Sequence, residues 1–335
     1  MTVRIVSYNI LVPILADRPD HYTKCQPEFL QTEHRWNLIQ SQLEQEIIQH
    51  KNTIICIQEL SLPILPKLEL FFRRLNYTFF QNLYEEQRKD YMGIGIAIPI
   101  SMQLNSISII KIGDHIRSFS KLRNKETNLF TWGWNIYQSA ISKFIQPILD
   151  PWEIAMTRRN TLICLQVVID GKVLCVGCYH MPCRYKEPDV MAIHSSIVKD
   201  LMFELSTGKD FILAGDFNLK PCDICYRALT EKDYADCILP KSDIYEISYQ
   251  RNAGQVLKSA YREKNGVEPI YTDFSHTPHS PNFCETLDYI FFNGRLAVKD
   301  ILELPDHPTS ESYPDQTHPS DHLMIAATFE LLSQS

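Results

Sequence analysis

The stretch Phe211-Ile212-Leu213-Ala214-Gly215-Asp216-Phe217-Asn218 constrains this chain more than any other. Four apolar residues run into a glycine, and a carboxylate and an amide follow two residues apart. An unbroken apolar run closed by Gly and polar residues reads as a strand buried on both faces. Strand geometry repeats every two residues, which places Asp216 and Asn218 on one side of it, at its carboxyl end. In layered α/β folds that end is where ligands are held. The competing reading is a strand closed by an Asx turn, with both side chains serving the local backbone.

Several other strands end in the same way. Val3 to Leu11 reads as a strand with Asn9 near its end, and Ile54 to Ile57 as a buried strand ending in Gln58-Glu59. Thr161–Ile169 and Lys172–Met181 flank Asp170-Gly171, a strong hairpin signal, and the returning strand presents His180. Leu287 to Phe292 carries Asp288, and Asn293-Gly294 predicts a second hairpin to Arg295–Leu302. Ser320-Asp321-His322 stands before a last strand, Leu323–Leu332. Tyr77–Leu83, Gly93–Ile98 and Asn105–Ile112 are further strands.

Helices fill the gaps. Trp36, Ile39, Leu43 and Ile47 recur at helical spacing, and a Pro-initiated helix spans about Pro63 to Leu75. Ile193, Ile197, Leu201 and Leu205 mark a third helix, closed by Thr207-Gly208. Regular patterning fails over residues 113–158, where Trp132, Trp134, Phe144 and Trp152 stand among basic residues.

The 335 residues are 44% hydrophobic and 22% charged, with no low-complexity linker or internal repeat, so one large α/β domain is expected. No apolar run reaches the roughly 20 residues that cross a bilayer, and no cationic leader opens the chain. The 10 cysteines read as free thiols of a reducing compartment, cytoplasmic with the nucleus as alternative. Cys175-x-x-Cys178 and Cys222-x-x-Cys225 invite zinc, but the odd spacing puts Cys175 and Cys178 on opposite strand faces. A net charge of −7 argues against unspecific wrapping of nucleic acid. From Lys111 to Lys186, however, 11 Lys/Arg face 5 Asp/Glu, a local balance of +6 that suits either a phosphate-attracting face or a solvated one.

Asn9, Glu59, His180, Asp216, Asn218, Asp288, Asp321 and His322 thus all fall at strand ends. Carboxylates and amides without an obligatory thiol suit Mg²⁺, with Mn²⁺ as alternative, better than zinc. Asp216 is placed to orient and deprotonate a water, and Asp288 to fix the tautomer of His322 and favour its charged form. Cationic His beside a phosphate oxygen stabilises charge as it develops. Together these groups describe hydrolysis of a phosphate ester.

Ser-Tyr-Asn-Ile-Leu (7–11), Ile-Gln-Glu-Leu (57–60), Tyr-His-Met (179–181), Gly-Asp-Phe-Asn (215–218), Leu-Asp-Tyr-Ile-Phe (287–291) and Pro-Ser-Asp-His-Leu (319–323) resemble, in order, the endonuclease/exonuclease/phosphatase superfamily. Cys25-Gln26-Pro27, Leu257 to Tyr261, Tyr271-Thr272 and Cys284 to Ile290 look like its branch of carbon-catabolite-repression deadenylases, nocturnin, angel and 2′,5′-phosphodiesterase, most like the nocturnin-like members. The resemblance implies a four-layer α/β sandwich of the deoxyribonuclease I type and metal-dependent 3′-end hydrolysis of RNA, typically poly(A). It implies Glu59 as principal Mg²⁺ ligand with Asn9 beside it. Asp216 and Asn218 then serve the water and a second metal, with Asp321 among the ligands. His180 serves the phosphate, and Asp288 with His322 forms the dyad.

The chain departs from that pattern in places. Tyr179 replaces a usual Thr and is bulky enough to alter the groove, and Asp90 to Gly95 replaces the usual Asp-Gly-Cys-Ala strand entry. Residues 113–158 look longer than the usual connection. Trp132 and Trp134 there suit base stacking or plain packing, with Arg158, Arg159, Asn160 and Arg184 as further substrate contacts. No leucine-rich repeat precedes the domain, so docking through one is not expected. Three functions remain open: an Mg²⁺-dependent 3′–5′ exoribonuclease of deadenylase type, a phosphatase or phosphodiesterase on a small adenine nucleotide (2′,5′-oligoadenylate or the 2′-phosphate of NADP(H)), and a catalytically silent RNA-binding module.

Overall fold

A computed structural model describes residues 2–332, apart from 19, 88–89, 124–149, 233 and 235–237. The first half contributes strands β1 (Thr2–Asn9), β2 (Thr53–Leu60), β3 (Tyr77–Gln87), β4 (Asp90–Pro99), β5 (Gln103–Lys111) and β6 (Ser120–Leu122). Then follow β7 (Thr161–Ile169), β8 (Lys172–His180), β9 (Asp210–Asp216), β10 (Tyr245–Ile247) and β11 (Lys258–Ser259). The chain finishes with β12 (Asp273–Ser275), β13 (Phe283–Glu285), β14 (Asp288–Asn293), β15 (Leu296–Ile301) and β16 (Ile325–Leu331).

Twelve of these strands form two six-stranded mixed sheets, in the orders β15-β16-β1-β2-β4-β3 and β11-β14-β9-β8-β7-β5, and β10-β6 and β12-β13 make two small ribbons. Strand alternation explains why the sheets stack. Val3, Ile5, Ile54 and Cys56 of the first sheet meet Val176, Cys178, Ile212 and Ala214 of the second in a shared core. Their neighbours Val6, Tyr8, Ile55 and Ile57 face outward against Trp36, Ile39 and Leu43 of the helix Thr32–Gln49 and Leu68, Phe71 and Phe72 of Leu65–Arg74. On the far side Cys175, Tyr179, Phe211 and Leu213 pack on the helix Pro188–Ser206. Helix, sheet, sheet, helix: the fold is a four-layer α/β sandwich. Cys175 and Cys178 lie in different cores, as their odd spacing requires.

Register aligns the polar strand ends. β1 runs parallel to β2 with Asn9 opposite Gln58, and β8 runs parallel to β9 with His180 opposite Asp216. β14 is antiparallel to β9, so its first residue, Asp288, lands directly opposite Asp216.

Two expectations need correction. Asn293-Gly294 does not close a hairpin: β15 pairs with β16, in the other sheet. Both edges of β14 are already taken by β9 and β11, so the chain must leave that sheet. Also, β9 stops at Asp216, and Asn218 has a left-handed φ of 50°. The two therefore do not share a strand face; the Asx turn is the arrangement found, with Asp216 Oδ1 accepting the Asn218 N–H at 2.8 Å. By contrast, Asp170 (φ 45°) and Gly171 (φ 80°) make the expected two-residue turn between β7 and β8.

Candidate active site

One rim of the sandwich gathers the polar strand ends. Asn9, fully buried, donates through Nδ2 to Glu59 Oε1 at 3.1 Å and to Asp216 Oδ2 at 3.0 Å, so one amide joins the two sheets. Glu59 Oε2 accepts the Val12 N–H at 2.7 Å. A bulge between Gln58 and Leu60 aims that carboxylate, and Glu59 itself adopts φ 62°. Left-handed backbone at a Glu costs free energy, and such residues cluster at functional sites.

Across the seam, Asp216 Oδ2 lies 3.4 Å from His180 Nε2 and 3.7 Å from His322 Nε2. His322 Nδ1 is 2.8 Å from Asp288 Oδ2, which also accepts from Thr272 Oγ1 at 2.6 Å. Burial alone pushes an imidazole pKa down; here Asp288, Asp273 and Asp216 outweigh it and hold His322 well above its ordinary value. Burial, reinforced by Asp288 against the pull of both histidines, raises Asp216. His180 is steadied by Tyr84 (Oη to Nδ1, 3.4 Å), while Asn160 Nδ2 donates to the His180 carbonyl at 2.8 Å. Asn218 donates to the Met181 carbonyl at 3.0 Å, and Asp321 Oδ2 accepts from Tyr22 Oη at 2.6 Å.

The structure thus brings Asn9, Glu59, His180, Asp216, Asp288 and His322 into one connected network, with Asn218 and Asp321 at its border. The expected substrate contacts divide. Asn160 serves the backbone of His180, Arg184 is half-buried and ion-paired with Glu187 at 3.5 Å, and Arg158 is half-buried while Arg159 is exposed. Trp132 and Trp134 lie outside the described residues. The basic stretch is not one face: Lys111 and Arg117 pair with Asp114, and Lys172 reaches Leu331 at the opposite rim. Tyr179 does not border the groove. Alternation with His180 turns it into the core, where its hydroxyl lies 2.8 Å from His194 Nδ1.

Residues that the sequence did not single out complete the site. Arg35, 1% exposed, donates through Nη1 to the carbonyls of Ile10 and Pro319 (both 2.9 Å) and through Nη2 to that of Leu11 (2.7 Å). Ser320 Oγ donates to the Asn9 carbonyl at 2.7 Å. Together they clamp the segment after β1 to the segment carrying His322. Arg35 had a signal, a cation in the i, i+4 stripe it shares with Ile39 and Leu43. Asp273, beside the Tyr271-Thr272 motif, has Oδ2 3.4 Å from His322 Nε2. Burial, together with Asp321, Asp288 and Asp216 and against the pull of His322, raises its pKa well above the ordinary carboxylate value.

The donor chemistry fits a hard divalent cation. Carboxylates dominate, and two buried oxygens, Asp273 Oδ1 and Asp288 Oδ1, have no hydrogen-bond partner among the described residues.

A two-sheet sandwich with carboxylates, amides and histidines meeting at one rim defines a hydrolase of phosphate esters. The chain belongs to the Endonuclease/Exonuclease/phosphatase family, whose signature matches residues 6–322. It is similar to Nocturnin of Drosophila melanogaster, 26% identical over 344 residues, covering 98% of this chain and 47% of that protein. It is also similar to the probable CCR4-Not complex 3′-5′-exoribonuclease subunit Ccr4 of Encephalitozoon cuniculi, 24% identical over 353 residues, covering 98% of this chain and 62% of that one. The chain therefore spans less than two thirds of either relative. Among solved structures it superposes on ANGEL2, described as a 2′,3′-cyclic phosphatase, with a TM-score of 0.71 at 18% identity, covering 98% of this chain and 95% of that one. No helix of the described residues is long and apolar enough to cross a membrane.

Proposed function

We propose that this chain is an Mg²⁺-dependent 3′–5′ exoribonuclease of deadenylase type. The observation that carries the reading is the position of Asp216 Oδ2, held by Asn9 and lying 3.4 and 3.7 Å from two imidazoles. One carboxylate oxygen is thereby set between a candidate metal pole at Glu59 and a candidate phosphate pole at His180 and His322.

Glu59 and Asn9, with Asp216, Asn218 and Asp321 as further oxygen donors, would hold a divalent cation, which when bound would supply neutralisation of phosphate charge and a more acidic water. Asp216 orients the attacking water and takes its proton; burial, which raises its pKa, makes it a stronger base. His322, held in one orientation by Asp288, gives its Nε2 proton to a hydrogen bond with a phosphate oxygen as charge builds there. His180 faces the same space from β8 and serves the same oxygens. Asn160, holding the His180 carbonyl, is a positioning residue.

RNA as substrate is supported by the name of the Encephalitozoon relative. A second reading, a phosphatase or phosphodiesterase on a small adenine nucleotide, is favoured by the complex of the fold neighbour ANGEL2 with adenosine-2′,3′-vanadate. Purified protein offered poly(A), other homopolymers, 2′,5′-oligoadenylate, adenosine 2′,3′-cyclic phosphate and NADP(H) separates the two. The first reading expects poly(A) to shorten from its 3′ end with release of AMP, and the activity to vanish with EDTA. Indifference to RNA with turnover of a small nucleotide replaces it with the second.

A further inference from the structure

The two sheets also meet at the rim opposite the candidate active site. There a cleft of about 430 Å³ opens between three segments: the β7–β8 turn (Gly171, Lys172, Val173), the connection entering β9 (Gly208, Lys209, Asp210), and Arg295 and Leu332, which flank β15 and β16 of the other sheet. That volume falls in the range of small-ligand sites. β8 runs from Lys172 at this rim to His180 at the other, roughly 25 Å at the rise of a strand, so a small molecule bound here does not touch the catalytic groups.

The cleft is built before any ligand arrives. Asp210 Oδ1 accepts the Arg295 N–H at 2.9 Å, the Arg295 carbonyl accepts the Leu332 N–H at 3.0 Å, and Lys172 Nζ donates to the Leu331 carbonyl at 2.9 Å. These bonds tie all three segments together. Gly294 permits the first of them, since a Cβ there would stand 2.3 Å from Asp210 Oδ1.

Its charges do not balance. Lys172, Lys209 and Arg295 line it against a single carboxylate, Asp210, an excess of two positive charges. Glu330, whose charge feels Lys172, is already paired with Lys299 at 2.6 Å. The side chains of Lys209 and Arg295 make no hydrogen bond or ion pair among the described residues. A concave wall of one sign concentrates the opposite ion. A phosphate monoester carries close to two negative charges at neutral pH and three acceptor oxygens, which suit a guanidinium fork flanked by two ammonium groups. A carboxylate or a phosphodiester brings only one charge. We propose that this cleft binds a phosphate monoester, carried by a free nucleotide or by the 5′ end of an RNA, whatever the opposite rim hydrolyses.

Equilibrium dialysis of the full chain against radiolabelled inorganic phosphate, in EDTA, tests it. Wild type is expected to take up the label. Lys209→Ala and Arg295→Ala should each weaken that uptake about 10-fold or more. Both side chains are exposed and neither holds the cleft together, so the substitutions leave the fold alone. A wild type that takes up no phosphate overturns the proposal; so does uptake that both variants retain, because it then belongs elsewhere on the molecule. Displacement of the label separates the two sources. AMP displacing it supports a free nucleotide, and a 5′-phosphorylated oligoadenylate displacing it at lower concentration supports an RNA end. If neither does, or if the 5′-hydroxyl oligoadenylate competes equally well, the cleft does not read a phosphate monoester and the proposal fails.

Discussion

The two rims of the sandwich both contain left-handed residues, but of different kinds. At the rim remote from the site they are Asn52, Asn76, Asp170 and Thr207, in the tight connections leading into β2, β3, β8 and β9. Asn and Asp tolerate that backbone because short polar side chains bond locally. At the site rim they include Leu11 (φ 54°) and Glu59 (φ 62°), residues that resist it. Thr207 apart, turns at the first rim chose residues to suit the backbone. At the second the backbone is bent to suit the side chains: Leu11 places the loop whose N–H groups hold Asn9 and Glu59, and Glu59 places a carboxylate. Strain concentrated where carboxylates converge marks chemistry more sharply than burial does.

That contrast can be broken by experiment. The largest effect is expected from Glu59→Ala: turnover falls by about 10³-fold or more, while the unfolding temperature does not drop, because the strained residue is not there for stability. Destabilisation with activity retained would reverse the argument. Asp288→Asn should cost about 10²- to 10⁴-fold in turnover. It should also shift the pH dependence. His322 has a raised folded pKa, so its charge contributes stability that is fully present below the unfolded value of 6.5 and lost as pH rises through the folded value. Removing Asp288 lowers the folded value, so that loss must move to lower pH in denaturation curves taken across the range.

His194, buried beneath the second sheet, tests the opposite case. Burial, only partly offset by the Ala155 carbonyl and reinforced by Arg158, pushes its pKa down to about 4. Stability should therefore fall as pH drops from 6.5 toward about 4. His194→Gln should flatten that slope, cost about 1–3 kcal/mol by disturbing Tyr179, and leave turnover unchanged; a change in turnover would make the buried pair part of the site. The smallest effect is at the remote rim: Thr207→Gly should raise stability by about 1 kcal/mol in chemical denaturation, since a β-branched residue there adopts φ 50°.

The strand ends were legible because apolar runs have a fixed period and stop abruptly at polar residues. Asn9, Glu59, His180, Asp216 and Asp288 could all be placed at ends from that alone, and strand pairing, parallel for β1–β2 and β8–β9 and antiparallel for β14–β9, then did the gathering. What local pattern does not record is which edge of a strand is free. Asn293-Gly294 carries a hairpin dipeptide, yet β14 had no open neighbour. Asn218 obeyed its own turn chemistry rather than the strand's period. Asp273 escaped notice because a three-residue strand leaves no apolar run to announce it, and Arg35 because a buried guanidinium serving carbonyls looks, in sequence, like a surface charge. Tyr179 takes the side opposite His180, a parity already present in the strand's two-residue period.

The clamp of Arg35 and Ser320 has a consequence for synthesis. It fastens residues 9–11 to residues 319–320, so this seam of the pocket cannot be closed until residue 320 has emerged from the ribosome. Until then the nascent chain holds that pocket unfastened on one side.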